Sequence, residues 1–371
     1  MPAGTSLAAL LWLSAASPGT PSSAPLGVRT QGTLRELFLD MTLADARAAD
    51  AAELELRWSM ANDWSVPTLL TRGGRQVELQ TDDQADALAV SLRLPWGKLL
   101  AGAGEPPWAA RLWTAVDARL TLHWGGWSDR PIDAWHGLAF TSFGREGSPA
   151  DAVGLFLGDP GQAPRVDLRS SCLALGDVAV RTQLLLAEGG ESFGGRGTRW
   201  GVSARLDVKI PTGRLDRLGG SGGFDAGLGL LGTVEVLPWL TGHAMMALSA
   251  WSGLPDDLPL QPHRWHGTFE ISLAATAGRW VFVLEDRLLT PAFEAGWHVA
   301  EPQGSNGLQA SAAFATLRPH NQVTIGVRHG AFTFWASEDF TPGPNFSTGA
   351  AWFYDSNAPD VTLGLAWRLA L

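Results

Sequence analysis

The sequence predicts an all-β protein, a single closed antiparallel transmembrane β-barrel of about 12 to 14 strands over residues 51–371. Three observations predict this fold class. They are long segments in which apolar and polar residues alternate, tryptophans at the ends of those segments, and short turns that alternate with long loops. The composition agrees, because only 17% of the residues are charged, 45% are hydrophobic and 44 are glycine. Such a chain presents its apolar surface in alternation and not in continuous runs.

The clearest alternating stretch runs from Arg199 to Val236. In its first half one face is polar and the other carries Trp200, Val202, Ala204, Leu206, Val208 and Ile210. The pattern resumes at Phe224 after a loop rich in glycine, Pro211 to Gly223, so two strands flank that loop. These segments are roughly 10 to 14 residues long, which exceeds a usual soluble strand and suffices to cross a bilayer at a tilt.

Tryptophans at strand ends are typical of a membrane-interface girdle. The sequence has 18 tryptophans and one tyrosine. The predicted girdle residues are Trp96, Trp124, Trp200, Trp265, Trp280 and Trp367. Trp239 and Trp251 share a face with Thr241 and His243, so we expect those two tryptophans to point inward.

Turn lengths differ between the two ends of the predicted barrel. Short turns are expected near Pro238, Gly278 and Pro319. Long loops are expected at Ser252–Pro262, Pro291–Gly307 and Ala331–Pro359. This asymmetry is typical of bacterial outer-membrane barrels, whose long loops lie outside.

Two places complicate the strand count. A segment from Arg75 to Trp96 changes phase near Asp82 and Asp83, which indicates a bulge or an extra hairpin. The second place is the irregular region Gly125–Pro164, where Val153–Leu157 is a candidate for another strand. Beyond it, a tight turn at Gly176 and Asp177 is expected to join two strands. The count comes to about thirteen, whereas a bacterial barrel of one chain needs an even number, so 12 to 14 stays open.

The N-terminus predicts export. Leu7 to Ala16 is an apolar run of signal-peptide length followed by small residues, so residues 1–24 are predicted to be a signal peptide. Residues 25–50 are predicted to form an N-terminal periplasmic arm with a short helix around Leu34 to Met41. No other apolar run approaches the ~20 residues of a membrane-spanning helix, so a chain that crosses a bilayer must do so as a barrel.

Charge and cysteine content exclude several function classes. The formal net charge is -10 and no basic cluster is present, which argues against nucleic acid as a partner. A single cysteine, Cys172, excludes an intrachain disulfide and disfavours a cysteine zinc site. The sequence predicts no cofactor and no metal.

Charged residues of both signs fall on the polar faces of the predicted strands. The residues predicted to line the lumen are Arg57, Asp117, Arg119, Arg205, Asp207, Lys209, Asp225, Glu235, Glu270, Glu285, Arg287 and Arg328. Mixed signs favour charge pairs across a filled lumen, because an unpaired buried charge is costly. A charged conducting path is the alternative.

Asp129, Asp133 and His136 form the best candidate binding cluster. If Pro131 starts a helical turn, Asp133 and His136 lie on one face, as metal ligands or an acid-base pair would. The alternative is a capped loop helix packed on the barrel mouth through Trp135. The glycine-rich turn at Gly219–Gly223 lacks the Lys-Ser/Thr of a phosphate loop, and no nucleophile elbow is present. No catalytic residue is therefore predicted.

Several segments resemble a known family. They are PLGVRTQGTL near Pro25, GGWSDRPIDAWHGLAF from Gly125, DVKIPTGRLDRLGGSGGFDAGLGL from Asp207 and the ending APDVTLGLAWRLAL. Together they resemble the uncharacterised proteobacterial domain-of-unknown-function family 3187. The resemblance implies an exported outer-membrane β-barrel and brings no known activity. The chain ends in Leu371, where that group ends in Phe or Trp.

The predicted function is that of a porin-like channel, a transporter or a structural surface protein in the outer membrane of a Gram-negative bacterium. The expected partners are outer-membrane lipid and the barrel-assembly machinery, with a small-molecule solute if the barrel conducts. Two alternatives remain: an outer-membrane enzyme acting on lipid with His136 as base, and a soluble exported β-protein that binds a ligand. The sequence favours a protein that is not an enzyme.

Overall fold

The computed structural model describes residues 22–32, 34–47, 51–64, 68–100, 106, 108–131, 134, 152–190, 199–256, 258, 260–294, 297–299, 319–340 and 361–371. In chain order these residues form the strands β1 (Glu53–Trp64), β2 (Thr68–Arg72), β3 (Arg75–Gln80), β4 (Asp82–Pro95), β5 (Leu112–Trp124), β6 (Leu155–Gly158), β7 (Val166–Leu168), β8 (Cys172–Leu175), β9 (Val178–Gly189), β10 (Trp200–Ile210), β11 (Asp225–Leu237), β12 (Leu240–Ala250), β13 (Trp265–Ala277), β14 (Trp280–Leu289), β15 (His298–Val299), β16 (His320–His329), β17 (Phe332–Phe340) and β18 (Val361–Ala370). A short helix α1 (Trp96–Leu99) and the 3-10 turns η1 (Arg35–Leu37), η2 (Ala109–Arg111) and η3 (Leu215–Arg217) complete the described elements.

The main sheet closes into a barrel, as the alternation predicts. Its hydrogen-bonded order is β4-β1-β18-β17-β16-β14-β13-β12-β11-β10-β9-β5, and β5 pairs with β4 to complete the ring. Every neighbouring pair is antiparallel, from Glu53↔Ala370 at the β1/β18 closure to Gln84↔Trp124 between β4 and β5. The fold is therefore a 12-stranded closed barrel of the outer-membrane type, within the predicted range of 12 to 14.

The two rims of the barrel differ. The short-turn rim holds the tight turns at 237–240, 277–280 and 329–332, and β1 begins and β18 ends there. The long-loop rim holds the opposite strand ends. The predicted long loop from Ala331 is wrong, because a tight turn lies at Gly330, whose φ is +58°, and β17 follows it. The predicted short turn near Pro319 adjoins residues outside the described ranges and stays a prediction. A predicted strand at 308–316 lies outside the described residues.

A second sheet explains the phase change near Asp82. Its order is β15-β2-β3-β6-β7, and it sits at the long-loop rim, where its strands connect barrel strand ends. The chain leaves this sheet at Gln80 and enters the barrel wall at Asp82, so each segment keeps its own alternation. The phase change marks a change of sheet and not a bulge.

The expected hairpin at Gly176 and Asp177 is also corrected. Both β8 and β9 pair with β5, one after the other, from His123↔Cys172 to Leu112↔Leu184. The Gly176 N–H donates to the Arg119 carbonyl at 2.7 Å. The two residues thus form a bulge within one strand of the wall, which allows the chain to continue in the same direction.

The outer face of the barrel is apolar. Large side chains such as Leu228, Met246 and Ile325 are 60–67% exposed, whereas their strand neighbours on the inner face are buried. Four of the predicted girdle tryptophans lie at the short-turn rim, Trp96, Trp200, Trp280 and Trp367, and two lie at the long-loop rim, Trp124 and Trp265. An apolar band between two aromatic rims is what a bilayer requires.

Trp239 and Trp251 take different sides. Trp239 is 53% exposed, whereas Trp251 is buried in the lumen. The expectation that both point inward is therefore wrong for Trp239, which occupies the tight turn after β11, where the strand alternation no longer sets the side-chain direction.

Among the described residues, no helix is long and apolar enough to cross a membrane.

The segment predicted as a periplasmic arm, residues 25–50, lies inside the barrel over its described part. We call residues 22–47 the plug. It enters at the short-turn rim, where Arg328 donates to the Ser22 and Ala24 carbonyls. It reaches the long-loop rim at the turn η1 and returns to the short-turn rim, where Arg47 pairs with Glu235 at 2.6 Å. Of the helix predicted around Leu34–Met41, the structure contains only η1.

The main hydrophobic core caps the lumen at the long-loop rim. It joins the plug tip to the second sheet and to the loops after β12 and β14. Its large members include Leu37, Phe38, Leu70, Leu79, Leu155, Leu157, Trp251, Leu260, Phe293 and Trp297. Phe38 stacks on Trp251 with ring centroids 4.5 Å apart. Over the described residues, apolar packing therefore fills the lumen at this rim.

Candidate functional site

The inner wall of the barrel and the plug form one polar interface. All twelve residues predicted to line the lumen lie on the inner face, because they occupy the strand positions that alternate with the exposed apolar side chains. Most of them contact the plug directly. The mixed signs thus correspond to charge pairs around a filled lumen, the first of the two interpretations that the sequence allowed.

Arg287 holds the two arms of the plug together. Arg287 is 1% exposed, and its guanidinium donates to the Met41 carbonyl at 2.7 Å and the Val28 carbonyl at 3.3 Å. It also binds both carboxylate oxygens of Asp40, one of them at 3.0 Å. A buried charge with this many partners is expensive to disturb, because removal of one partner leaves the other unpaired.

Carboxylates of the wall accept backbone N–H groups of the plug. Asp225 accepts from Leu39 at 2.8 Å, and Glu270 accepts from Leu43 at 2.9 Å. Glu285 accepts from Leu26 in the same way. The plug has no strand partner of its own, so wall side chains satisfy its buried backbone donors.

Cations of the wall donate to carbonyls of the plug. Arg57 donates to the Gly27 and Leu26 carbonyls at 2.8 and 2.7 Å, and Lys209 donates to the Leu37 carbonyl at 2.8 Å. Arg205 donates to Thr42. Both signs of charge are therefore needed, because an extended peptide presents donors and acceptors alike.

Charged side chains of the wall also pair with each other, including some that contact the plug. The wall pairs are Arg181–Asp117 at 3.1 Å, Arg205–Asp207 at 3.0 Å and Lys209–Asp225 at 3.2 Å. Arg119 pairs across the lumen with Glu36 of the plug at 2.9 Å. Such pairs lower the cost of placing charges away from bulk water.

Glycines on the inner face make room for the plug. A Cβ at Gly227 would lie 2.3 Å from Met41 Sδ, and one at Gly326 would lie 2.6 Å from Leu26 Cδ1. These glycines lie on the polar faces of the predicted strands. Glycine at such a position is a sequence signal that another backbone segment approaches the strand closely.

The glycine-rich loop Pro211–Gly223 closes the wall beside the bulge in β8/β9. The Asp177 carboxylate accepts from the Gly213 N–H at 2.7 Å and pairs with Lys209 at 2.7 Å. Leu218 ends η3 with a φ of +58°. The loop thus anchors Asp177 beside the wall cation Lys209.

The predicted cluster of Asp129, Asp133 and His136 is only partly described. Asp129 is buried and accepts from Asn62 Nδ2 at 2.8 Å, whereas Asp133 and His136 lie outside the described residues. The sequence analysis missed a buried pair nearby, His123 Nδ1 and Asp83 at 2.7 Å. Within the described ranges, no group of three His, Cys, Asp or Glu side chains is placed to hold a metal ion.

A polar cavity of about 100 Å³ remains between the plug and one side of the wall. Its lining begins near the short-turn rim at Glu53, Arg93 and Trp113 and extends inward to Arg181 and Arg119. Beyond Arg119 the plug tip and the apolar core occupy the lumen. The cavity is thus a partial passage that the plug tip ends.

No protein-family model and no curated protein sequence matches the chain. Among solved structures it is similar to the COG4313 outer membrane channel from Pseudomonas putida F1, at 10% identity and a TM-score of 0.46, over 88% of this chain and 98% of that one. It is also similar to a mutant of the TodX monoaromatic hydrocarbon channel, at 11% identity and a TM-score of 0.36, over 87% and 91%. It is similar as well to Salmonella typhi OmpF, at 9% identity and a TM-score of 0.29, over 86% of this chain and 97% of that one. Likenesses this weak carry no functional argument, and the fold rests on the strand pairings of the chain itself.

Proposed function

We propose that this chain is an outer-membrane channel of porin-like architecture whose lumen is restricted by its own N-terminal plug. The plug and its polar contacts carry the proposal: a structural barrel could fill its lumen with wall side chains alone, whereas this one holds a separate segment by contacts that can break. The polar cavity beside the plug supports passage of small solutes.

We also propose where the chain resides and what it contacts there. The apolar run Leu7–Ala16 acts as the export signal and is removed before Ser22, so that the mature chain keeps the whole plug, and the barrel resides in the outer membrane of a Gram-negative bacterium after insertion by the barrel-assembly machinery. The apolar band and its two tryptophan rims support contact with outer-membrane lipid. The segments quoted above support membership of domain-of-unknown-function family 3187.

The proposal assigns transport and no catalysis. An enzyme acting on lipid would need its base at the outer surface, and His136 is the candidate base that the sequence offers for that alternative. The buried His123 and Asp83 pair faces the lumen, where no lipid is expected.

Single-channel conductance in planar bilayers tests the proposal. We compare the mature chain with a variant that lacks residues 22–47 and with Arg287→Ala, which removes the contact that joins both plug arms. The mature chain is expected to show small conductance, and both variants are expected to show conductance at least about tenfold larger, because the lumen of a 12-stranded barrel then opens.

Arg214→Ala is the matched control, since Arg214 loses only an exposed pair with Asp216. Heat-modifiable migration on a denaturing gel verifies that each variant is folded. Equal conductance in folded Arg287→Ala, folded deletion variant and mature chain would contradict the proposal.

A further inference from the structure

The cavity beside the plug has an excess of positive charge. Seven arginines and five carboxylates line it. Each carboxylate already has a cation: Asp45 pairs with Arg47, Glu53 and Glu55 with Arg368, Asp117 with Arg181 and Asp177 with Lys209. Two of those cations, Arg47 and Lys209, do not line the cavity. The lining carboxylates are therefore too few for the lining arginines, of which Arg119 and Arg205 pair with Glu36 and Asp207 outside the lining.

Arg29 and Arg93 are the two lining arginines that form no salt bridge among the described residues. Arg29 belongs to the plug, and among the described residues it has neither an ion pair nor a hydrogen bond, with its Nε buried. Arg93 belongs to β4 and lies opposite Glu53 of β1 in the strand register, with its guanidinium carbon 4.6 Å from the centroid of the Trp113 ring. An unpaired guanidinium beside low-dielectric walls needs an anion or water.

The two arginines lie at different depths. Arg93 is two residues from the end of β4 at the short-turn rim, whereas Arg29 lies deeper, within electrostatic reach of the cations Arg119 and Arg181 and of the carboxylates Asp40 and Glu36. From Trp113 to Arg119 the β5 wall extends about 15–20 Å along the strand. The positive potential is thus distributed along the cavity and focused by its walls.

The net charge of the cavity lining is positive, which is opposite in sign to the formal net charge of the whole chain, -10. We propose that the cavity between the plug and strands β4, β5 and β9 binds small anions, about the size of phosphate or acetate, and makes the passage anion-selective. Arg93 receives the anion at the short-turn rim and Arg29 binds it at the plug. The anion selectivity of the passage rests on the proposed channel function. The anion-binding site itself rests on Arg29 and Arg93 and does not require conduction.

Two measurements on the full mature chain test it. The first is the reversal potential in planar bilayers under a potassium chloride gradient, for the mature chain, Arg29→Gln, Arg93→Gln and the double variant. We expect chloride to be preferred over potassium and the preference to fall at least about threefold in the double variant. Arg29→Lys, which keeps the charge, should retain the preference, and Arg214→Gln on an exposed loop should not change it.

The second measurement is calorimetric titration of inorganic phosphate into the detergent-solubilised, heat-modifiable protein. Binding is expected in the mature chain and in Arg214→Gln, and its loss is expected in Arg29→Gln. Phosphate binding without any conductance would overturn the proposed channel and support the anion site. Conductance that prefers potassium, or a preference unchanged by the double variant, would overturn the anion site and support the channel. Absence of phosphate binding in the folded mature chain would also overturn the site.

Discussion

Glycine residues on the inner face set where the plug can lie. In β11 the inner positions next to Met41 of the plug are Gly227 and Gly229. Met41 fills the space that side chains at these two positions would occupy. Met41 is 1% exposed and cannot move without displacing its neighbours. The fit between strand glycines and plug side chains is therefore as specific as the packing of a protein core.

Gly227→Val should destabilise the barrel by about 1–3 kcal/mol, because the added side chain overlaps Met41 in a packed lumen. Gly232→Val is the matched control on the same strand, since a Cβ at Gly232 meets no atom within 4 Å. Guanidinium unfolding followed by tryptophan fluorescence measures both, and Met41→Ala combined with Gly227→Val should recover part of the loss. Equal effects of the two valine substitutions would contradict this role of Gly227.

The elements differ in how far the sequence predicts them. The barrel strands are predictable because alternation is local: the predicted segment Asp360–Leu371 corresponds to β18, Val361–Ala370. The plug is not, because its contacts join distant residues, such as Leu26 and Glu285 at a separation of 259 positions. Parity along each strand likewise predicts which charges face inward, whereas their partners on the plug follow no local period. Sequence reasoning therefore finds the wall and misses what fills it.

Backbone N–H groups of the plug should exchange slowly with solvent, although they belong to no sheet, because wall side chains accept their hydrogen bonds. Glu270→Ala removes the acceptor of the Leu43 N–H and should speed its exchange by about tenfold, the equivalent of one buried hydrogen bond. Hydrogen-deuterium exchange with mass spectrometry measures this on peptides that cover residues 22–47. Asp216→Ala on an exposed loop serves as the control. Fast exchange throughout the plug of the unmodified chain would show that the plug does not occupy the lumen.

At the scale of the whole molecule, the two rims give the barrel a direction. The short-turn rim holds the tight turns, both ends of the barrel sequence and the entry of the plug, whereas the long-loop rim carries the second sheet and the apolar core. In outer-membrane barrels the short turns face the periplasm and the long loops face outside. With that orientation the anion cavity opens toward the periplasm and the plug tip faces the exterior.

Cysteine labelling on intact cells tests this orientation. In a Cys172→Ser background, Gln162→Cys places an exposed thiol in the turn before β7, next to the second sheet, and Arg279→Cys places one in the turn between β13 and β14. A membrane-impermeant maleimide should label the first on intact cells and the second only after the outer membrane is disrupted, because only the long-loop rim faces the medium. The reverse pattern would place the plug entry at the cell surface. The cavity would then open to the medium. In that orientation a solute taken up from the medium would meet Arg93 as it enters the barrel, whereas in the expected orientation it would meet Arg93 as it leaves toward the periplasm.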